Sequence, residues 1–184
     1  FAVASVGGKF GAETIAADLI AQLGDASKVL LLTANNAGDE KAAQREFLEN
    51  PNGEIGRYRA VVYSPVIGTG YDITAPVRAV IGVMEKHLDG YEARQMIGRC
   101  RNTRETHVYL PKTGGALEDR ADVIYRVELE KTRRTNRKLF VDGHNVADIS
   151  QQQLDYLYWH SRVMARRNWS INHLREHFIS LCAG

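Results

Sequence analysis

Five short apolar stretches, rich in β-branched residues, set the strongest limit on the fold of this chain. They are FAVAS (1–5), KVLLLT (28–33), RAVVYS (59–64), RAVIGV (78–83) and THVYLP (106–111). Each is a nearly continuous apolar run without clean alternation of apolar and polar residues. Such runs are typical of strands that are buried on both faces. We therefore predict a parallel sheet.

Helical patterns lie between these stretches. A first helix is predicted around residues 15–23 and ends at Gly24, a plausible C-cap. A second helix can be capped by Asp39. A third begins at Asp89, where Glu92 three residues later completes a capping box. Strands that alternate with helices of this length indicate βαβ units.

The composition changes after residue 112. KTGGA (112–116) reads as a linker, and Ser150 with Gln153, and also Ser170, are predicted helix N-caps. Apart from a brief KLFV (138–141), no strand is predicted here. Three mainly helical segments follow the linker: roughly 117–138, 150–167 and 170–182.

The predicted fold class is therefore α/β, with two regions. Residues 1–112 form a mainly parallel sheet of five or more strands flanked by helices. Residues 113–184 form a helical, partly basic accessory region. The chain of 184 residues is long enough for this, and because it does not begin with Met we expect it to be a piece of a longer protein. No apolar run approaches the length of a membrane span, so we expect no membrane partner.

Metal and phosphate-loop signals are weak. SVGGKFG (5–11) is not a phosphate-binding P-loop, because Phe10 follows Lys9 where Ser or Thr is required. The two cysteines, Cys100 and Cys182, have no CxxC spacing, so no metal site is predicted and a reducing, intracellular compartment is indicated. The HLREH segment (173–177) reads as an exposed helix face rather than a zinc site.

The loop YSPVIGTGYDI (63–73) directly follows the third predicted strand. In an open parallel sheet, ligands bind at the carboxyl ends of the strands, which places this loop at the functional edge. Asp72 is suited to a ribose hydroxyl or to holding an arginine. A structural loop with turn glycines is the alternative. The residues suited to a nucleotide or a phosphate backbone are Ser64, Gly68, Thr69, Gly70 and Asp72.

The segment QMIGRCRN (95–102) carries two arginines with almost no acid beside them. Gln95 and Arg99 are four residues apart and share one face of the predicted helix. Arg101 lies near the helix end and points differently. Two guanidinium groups at a helix end suit a phosphate group. A salt-bridged helix terminus is the alternative.

The order of these two motifs resembles the second RecA-like lobe of superfamily 2 helicases. The loop is similar to helicase motif V and the arginine segment to motif VI, and the resemblance covers roughly 1–112. It is nearest to the replication helicases of viruses, phages and plasmids that resemble herpesvirus origin-binding proteins. One departure stands out: the family's second arginine comes three residues after the first, where this chain has Asn102. Arg101 and Arg104 are therefore both candidates for that role.

The resemblance implies an ATP-dependent DNA helicase or translocase that is used in replication. Arg99 and Arg101 are the implied catalytic residues, which reach ATP bound by a first lobe absent from this chain. ATP and Mg²⁺ are expected to be held mainly by that lobe, so this chain alone is expected to bind no cofactor and to be inactive. Gln95, Gly70 and Asp72 are the implied ATP-binding residues.

Nucleic-acid contacts are implied for Thr33, Ser64 and Thr69. The expected partners are the first lobe of the same polypeptide and DNA, in single-stranded form, within the cytoplasm or at the nucleoid. One alternative is a non-catalytic nucleic-acid-binding module of the same fold. Another is an unrelated α/β enzyme or nucleotide binder, which would need a GxGxxG turn that VGGKFG (6–11) does not supply.

The C-terminal region adds a further possibility. Aromatic residues with interleaved arginines can stack on single-stranded nucleic acid. Aromatic residues at helical spacing are more often core residues, so both interpretations stay open. The residues concerned are Tyr156, Tyr158, Trp159, Arg162, Arg166, Arg167 and Trp169.

Overall fold

The structure is a computed structural model, and it describes most but not all of the chain. The described residues are 2–5, 8–33, 43–65, 71–112, 114–136, 140–141, 144–145 and 148–183. For residues 2–5, 8–10, 140–141 and 144–145 it describes the backbone alone. The predicted cap Asp39 lies outside the described residues.

A parallel sheet of five strands forms the centre of the molecule, in the order β2-β3-β1-β4-β5. Its registers pair Ala2 with Val61 and Val80, Val29 with Ala60, and Val77 with Thr103. The five strands are β1 Ala2–Ser5, β2 Val29–Leu32, β3 Ala60–Tyr63, β4 Val77–Val83 and β5 Thr103–Tyr109.

The two faces of the sheet carry separate hydrophobic cores. Val61 and Tyr63 of β3 belong to one core, whereas Ala60 and Val62 belong to the other, because successive residues of a strand point to opposite faces. Both faces are covered by helices, which explains why the predicted strands are continuous apolar runs. The helices of this part are α1 Gly8–Leu23, α2 Ala43–Glu49, α3 Pro51–Glu54 and α4 Gly90–Ile97.

Four predictions about local structure can be judged directly. Gly24 has a φ of 69° and caps α1, as predicted. The capping boxes of Asp89 with Glu92 and of Ser150 with Gln153 are both confirmed. The prediction that Ser170 is an N-cap was wrong, because one helix runs through it.

In its described residues, the C-terminal region contains three helices and a small second sheet. The strands β6 Phe140–Val141 and β7 His144–Asn145 pair antiparallel. The boundary between the last two helices, which was predicted just before Ser170, lies instead at His173. The helices are α5 Ala121–Asn136, α6 Gln151–Asn172 and α7 Leu174–Ala183.

The predicted fold class needs a correction. The prediction was one mainly parallel sheet of five or more strands followed by a helical extension. As a description of the chain, this prediction was wrong. The chain is α/β, but the strands within its described residues divide between two separate sheets, and three strands of the larger sheet have only four residues each. The strand pair between α5 and α6 interrupts the extension. The segment KLFV (138–141) signalled one strand of that pair, but the two-residue return strand has no hydrophobic period to detect.

The C-terminal helices pack on the larger sheet's α4 side. Leu174 and Phe178 of α7 are buried in the same core as Tyr63. The side-chain amide of Asn172 accepts a hydrogen bond from Leu117 N at 2.9 Å and donates one to Leu117 O at 2.8 Å. These bonds fix the residues after the linker against the end of α6. The division at residue 112 stays a prediction.

None of the helices within the described residues combines the length and the apolar character that crossing a membrane requires.

Candidate functional site

The end of the glycine-rich loop and the arginine segment lie side by side. The amide of Ile73 donates to Arg99 O at 2.8 Å, and the amide of Arg101 donates to Ile73 O at 2.9 Å. These bonds form a parallel bridge between Ile73 and Cys100. Both bridge residues are buried, so the bridge has a hydrophobic underside. The two segments that the sequence singled out separately therefore build one site.

The two arginines of the segment have different partners. Arg99 is half-buried, and its Nη1 donates to the backbone carbonyl of Tyr71 at 3.2 Å. Arg101 is exposed and forms an ion pair with Asp72, with 2.7 Å between Nη2 and Oδ2. The segment itself carries no acid, but Asp72 of the glycine-rich loop, which the sequence indicated as suited to holding an arginine, supplies the carboxylate for Arg101. An exposed ion pair contributes only about 0–1 kcal/mol to stability, so a ligand anion can readily replace Asp72.

An open groove of about 780 Å³ runs along α4 to these arginines. The structure places Gln95, Asp72, Arg99 and Arg101, which the sequence had suggested, around this one groove. Its lining residues are Tyr71, Asp72, Asp89, Tyr91, Glu92, Arg94, Gln95, Gly98, Arg99 and Arg101.

Three lining residues were missed by the sequence interpretation. Arg94 is exposed in the last turn of α4, and its place directly before the arginine segment was an available signal. Tyr71 and Tyr91 offer aromatic surface to the groove. No pattern in the sequence indicated that these two tyrosines would share a surface, since they come from different segments.

The charges in the groove are unevenly compensated. Asp89 and Glu92 are held by the capping box at the start of α4, and Glu92 also accepts a 3.1 Å bond from Arg167 of α6. The acids at this end are therefore neutralised within the protein. At the other end, no ion pair is present for Arg94 or Arg99 among the described residues. The result is a positive end that suits an anion such as a phosphate group.

The helix α4 positions the site through its two ends. The capping box fixes its start, and at its end the buried hydroxyl of Tyr63 donates to Met96 O at 2.9 Å. The helix ends at Ile97, and Gly98 is its C-cap. The prediction that Gln95 and Arg99 share a helix face was therefore wrong, because Arg99 lies in the turn beyond the helix. Both side chains still line the groove.

Cys100 sits within the arginine segment but is chemically quiet. Burial raises the pKa of its thiol to about 11. The thiol is therefore protonated at neutral pH, and only a thiolate is an effective nucleophile or metal ligand. The groove offers positive charge and hydrogen-bond donors rather than a covalent nucleophile.

The predicted nucleic-acid residues lie elsewhere. Thr33 directly follows β2 and Ser64 directly follows β3, at the carboxyl ends of these strands. The backbone carbonyl of Asn102, next to Arg101, instead accepts a hydrogen bond from the amide of Val77 at the start of β4. In parallel strands these positions lie toward opposite ends of the sheet, so the arginine segment is not at the carboxyl-end edge where the glycine-rich loop was predicted to bind ligands.

Thr33 and Ser64 are also both buried, so their side chains offer little surface to a ligand. The Ser64 hydroxyl has no hydrogen-bond partner among the described residues. Thr69 and Gly70 lie outside the described residues, as does Gly68.

No group of three histidine, cysteine, aspartate or glutamate side chains suited to a metal ion occurs in the part of the chain that the structure describes. The two histidines of HLREH have other contacts. His173 Nδ1 lies 2.9 Å from Trp169 O, and His177 Nδ1 lies 2.6 Å from Ser170 Oγ. The Ser170 hydroxyl in turn accepts the amide of Gly90 at 2.8 Å, which links α6 and α7 to the start of α4.

Comparisons with known proteins add no relative: no protein-family model matches the chain, and no curated protein matches it significantly.

Proposed function

We propose that this chain is the second motor lobe of an ATP-dependent DNA helicase or translocase used in replication, in the cytoplasm or at the nucleoid. The observation that carries the proposal is the convergence of Gln95, Asp72, Arg99 and Arg101 around one open groove. Those residues come from the two segments whose order resembles helicase motifs V and VI. The glycine-rich turn SVGGKFG (5–11) lacks the Ser or Thr that a P-loop requires, so in this proposal the nucleotide phosphates are held by another lobe.

The chemistry follows from the charge distribution. Transfer of a γ-phosphoryl group builds up negative charge on the phosphate oxygens, and a well-placed guanidinium stabilises that charge. ATP and Mg²⁺ would be bound mainly by the first lobe, where the metal neutralises phosphate charge. The contribution of this chain would be positive charge from the arginines and hydrogen bonding from Gln95.

Arg99 is the better candidate for the arginine that contacts the phosphate. It is half-buried, and its hydrogen-bond partner is a neutral carbonyl, so its charge is not compensated by a carboxylate. Arg101 is paired with Asp72 and is more exposed. Arg104 lies on β5 and does not line the groove. These contacts favour Arg99 where the irregular motif spacing left the choice open.

The deciding experiment uses the full-length polypeptide that contains both lobes. Arg99→Ala is expected to lower kcat for ATP hydrolysis by about 10³–10⁵-fold, the range for removal of an arginine finger, while DNA binding is retained. Arg99→Lys should recover little, because lysine lacks the planar fork of donors. Arg104→Ala is the matched control and should hydrolyse ATP normally.

Two results would count against the proposal. One is unchanged ATP hydrolysis in Arg99→Ala, which would favour a non-catalytic nucleic-acid-binding module. The other is ATP hydrolysis by the isolated chain at the rate of the full-length protein, since the proposed site needs a second lobe.

A further inference from the structure

The helix α6 exposes aromatic side chains along one side. Tyr156 is 65% exposed and Trp159 is 64% exposed, and they are three residues apart, on neighbouring turns of the helix. Leu157, Ser161 and Ala165 are buried on the opposite side. Tyr156 and Trp159 are therefore not core residues, which excludes the core interpretation for these two rings. We call Tyr156, Tyr158, Trp159, Arg162 and Arg166 the α6 aromatic face.

The rings of this face are already ordered by contacts with one another. Tyr156 stacks on His160, with 5.5 Å between ring centroids and 15° between planes. Tyr158 and Trp159 meet edge to face at 5.3 Å. The Arg162 guanidinium lies 5.1 Å from the Tyr158 ring centre and donates to the Tyr158 hydroxyl at 2.8 Å. Flat rings that are held in place and exposed lose little freedom when a further planar group stacks on them.

The charge beside the rings is positive. Among the described residues, Arg162 and Arg166 have no carboxylate within ion-pair distance, and the one acidic residue of α6 is Asp155. Arg167 is different, because it is paired with Glu92. Exposed rings with adjacent uncompensated arginines match a strand of stacked bases and phosphates. A second copy of the chain packed on the same face would instead bring like charges together.

We propose that the α6 aromatic face binds single-stranded nucleic acid, with bases stacked on Trp159 and Tyr156 and phosphates near Arg162 and Arg166. This site deepens the proposed function and rests on it for the presence of a nucleic-acid strand. Trp169 is not part of the face, because its ring packs against both His173 at the end of α6 and His177 of α7, with centroids 4.9 and 5.4 Å away.

The proposed site has a direct connection to the groove. The same helix that carries the aromatic face contacts α4 through the pair between Arg167 and Glu92 and through Ser170 Oγ, which accepts the amide of Gly90. A strand held on α6 would therefore lie on an element that is joined to the helix carrying Gln95.

The test measures binding of oligothymidylate of about 20 nucleotides to the purified chain, without ATP. The chain has two tryptophans, so Trp169→Phe leaves Trp159 as the single tryptophan reporter, and stacking should quench its fluorescence. In an anisotropy titration, Trp159→Ala should weaken binding roughly 5- to 150-fold, the range for loss of one stacked base. Trp159→Phe should retain most of the affinity. Tyr109→Ala, which removes a ring that is equally 64% exposed on β5, is the matched control.

A second arm separates stacking from charge. An abasic strand of the same length keeps the phosphates but has no bases, so the Trp159→Ala penalty should vanish on it. Arg166→Gln should instead lower the slope of log affinity against log salt by about 0.7 on both strands.

Three outcomes would overturn the proposed site. The first is wild-type affinity for oligothymidylate in Trp159→Ala. The second is an equal penalty on the normal and the abasic strand. The third is a change in the oligomeric state of Trp159→Ala, measured by sedimentation, while oligothymidylate binding is unaffected. That result would assign the face to a second copy of the chain. These readouts do not involve ATP, so loss of hydrolysis in Arg99→Ala would leave the motor proposal standing even if the aromatic face failed.

Discussion

Tyr63 provides a direct test of how the candidate groove is held in place. Its side chain is 2% exposed, and its hydroxyl donates to the backbone carbonyl of Met96 in the last turn of α4. Burial raises the pKa of the phenol, so the hydroxyl keeps its proton and can act as a donor. Tyr63→Phe removes this donor and changes the shape of the side chain very little.

The expected magnitude follows from the Met96 carbonyl. The last four carbonyls of a helix have no partner within the helix, so this one depends on Tyr63. Losing the bond and leaving a buried acceptor unsatisfied lowers the free energy of unfolding by about 1–3 kcal/mol. With an m-value of about 2 kcal/mol/M, a loss of about 2 kcal/mol moves the urea midpoint down by about 1 M.

The assay is urea unfolding of the chain, followed by far-ultraviolet circular dichroism. Tyr109→Phe is the matched control, because this tyrosine is exposed and its substitution should change stability by less than about 0.5 kcal/mol. A Tyr63→Phe midpoint equal to that of Tyr109→Phe would refute the anchoring role of the hydroxyl.

Three further predictions concern the arginine segment and the linker. Because burial raises the pKa of Cys100 to about 11, alkylation of this thiol by iodoacetamide in the folded chain should be slow at neutral pH and should accelerate toward pH 11. The exposed Cys182 should react readily. Mass spectrometry measures the modification of both cysteines. The same shift means that stability should fall as pH rises from the usual thiol value of 9.0 toward 11, since the unfolded chain releases the proton first. Gly114→Ala would place a Cβ in a clash with the backbone carbonyl oxygen of Asn172 in α6. It should therefore reduce stability by about 1–3 kcal/mol and lower the melting temperature. Gly56→Ala has open space around its Cβ and should leave the melting temperature nearly unchanged; equal melting curves for the two variants would contradict the close packing of the linker.

The arginine segment shows where sequence interpretation succeeded and where it stopped. Its hydrogen-bonding groups and its proximity to a helix end were predictable from residue types and spacing. Asp72 was recognised as suited to holding an arginine, but the choice of Arg101 was not predictable, because it depends on the bridge between Ile73 and Cys100 across two distant segments. That pairing is what leaves Arg99 with the less compensated charge.

Features that depend on neighbouring residues could be predicted from the sequence alone. The apolar runs located strands, and side chains three residues apart specified the capping boxes of α4 and α6, since both signals are local. The start of β5 was missed because Thr103–Glu105 are polar residues, tolerated on a strand at the edge of the sheet.

The tertiary structure alone decided which surfaces were left without a partner. A helical pattern shows that α6 has aromatic residues, but it does not show which side packs against the rest of the chain. Burial of Leu157, Ser161 and Ala165 leaves Trp159 in solvent. The groove arises in the same way, because its lining comes from segments that only the packing of α4 on the sheet brings together.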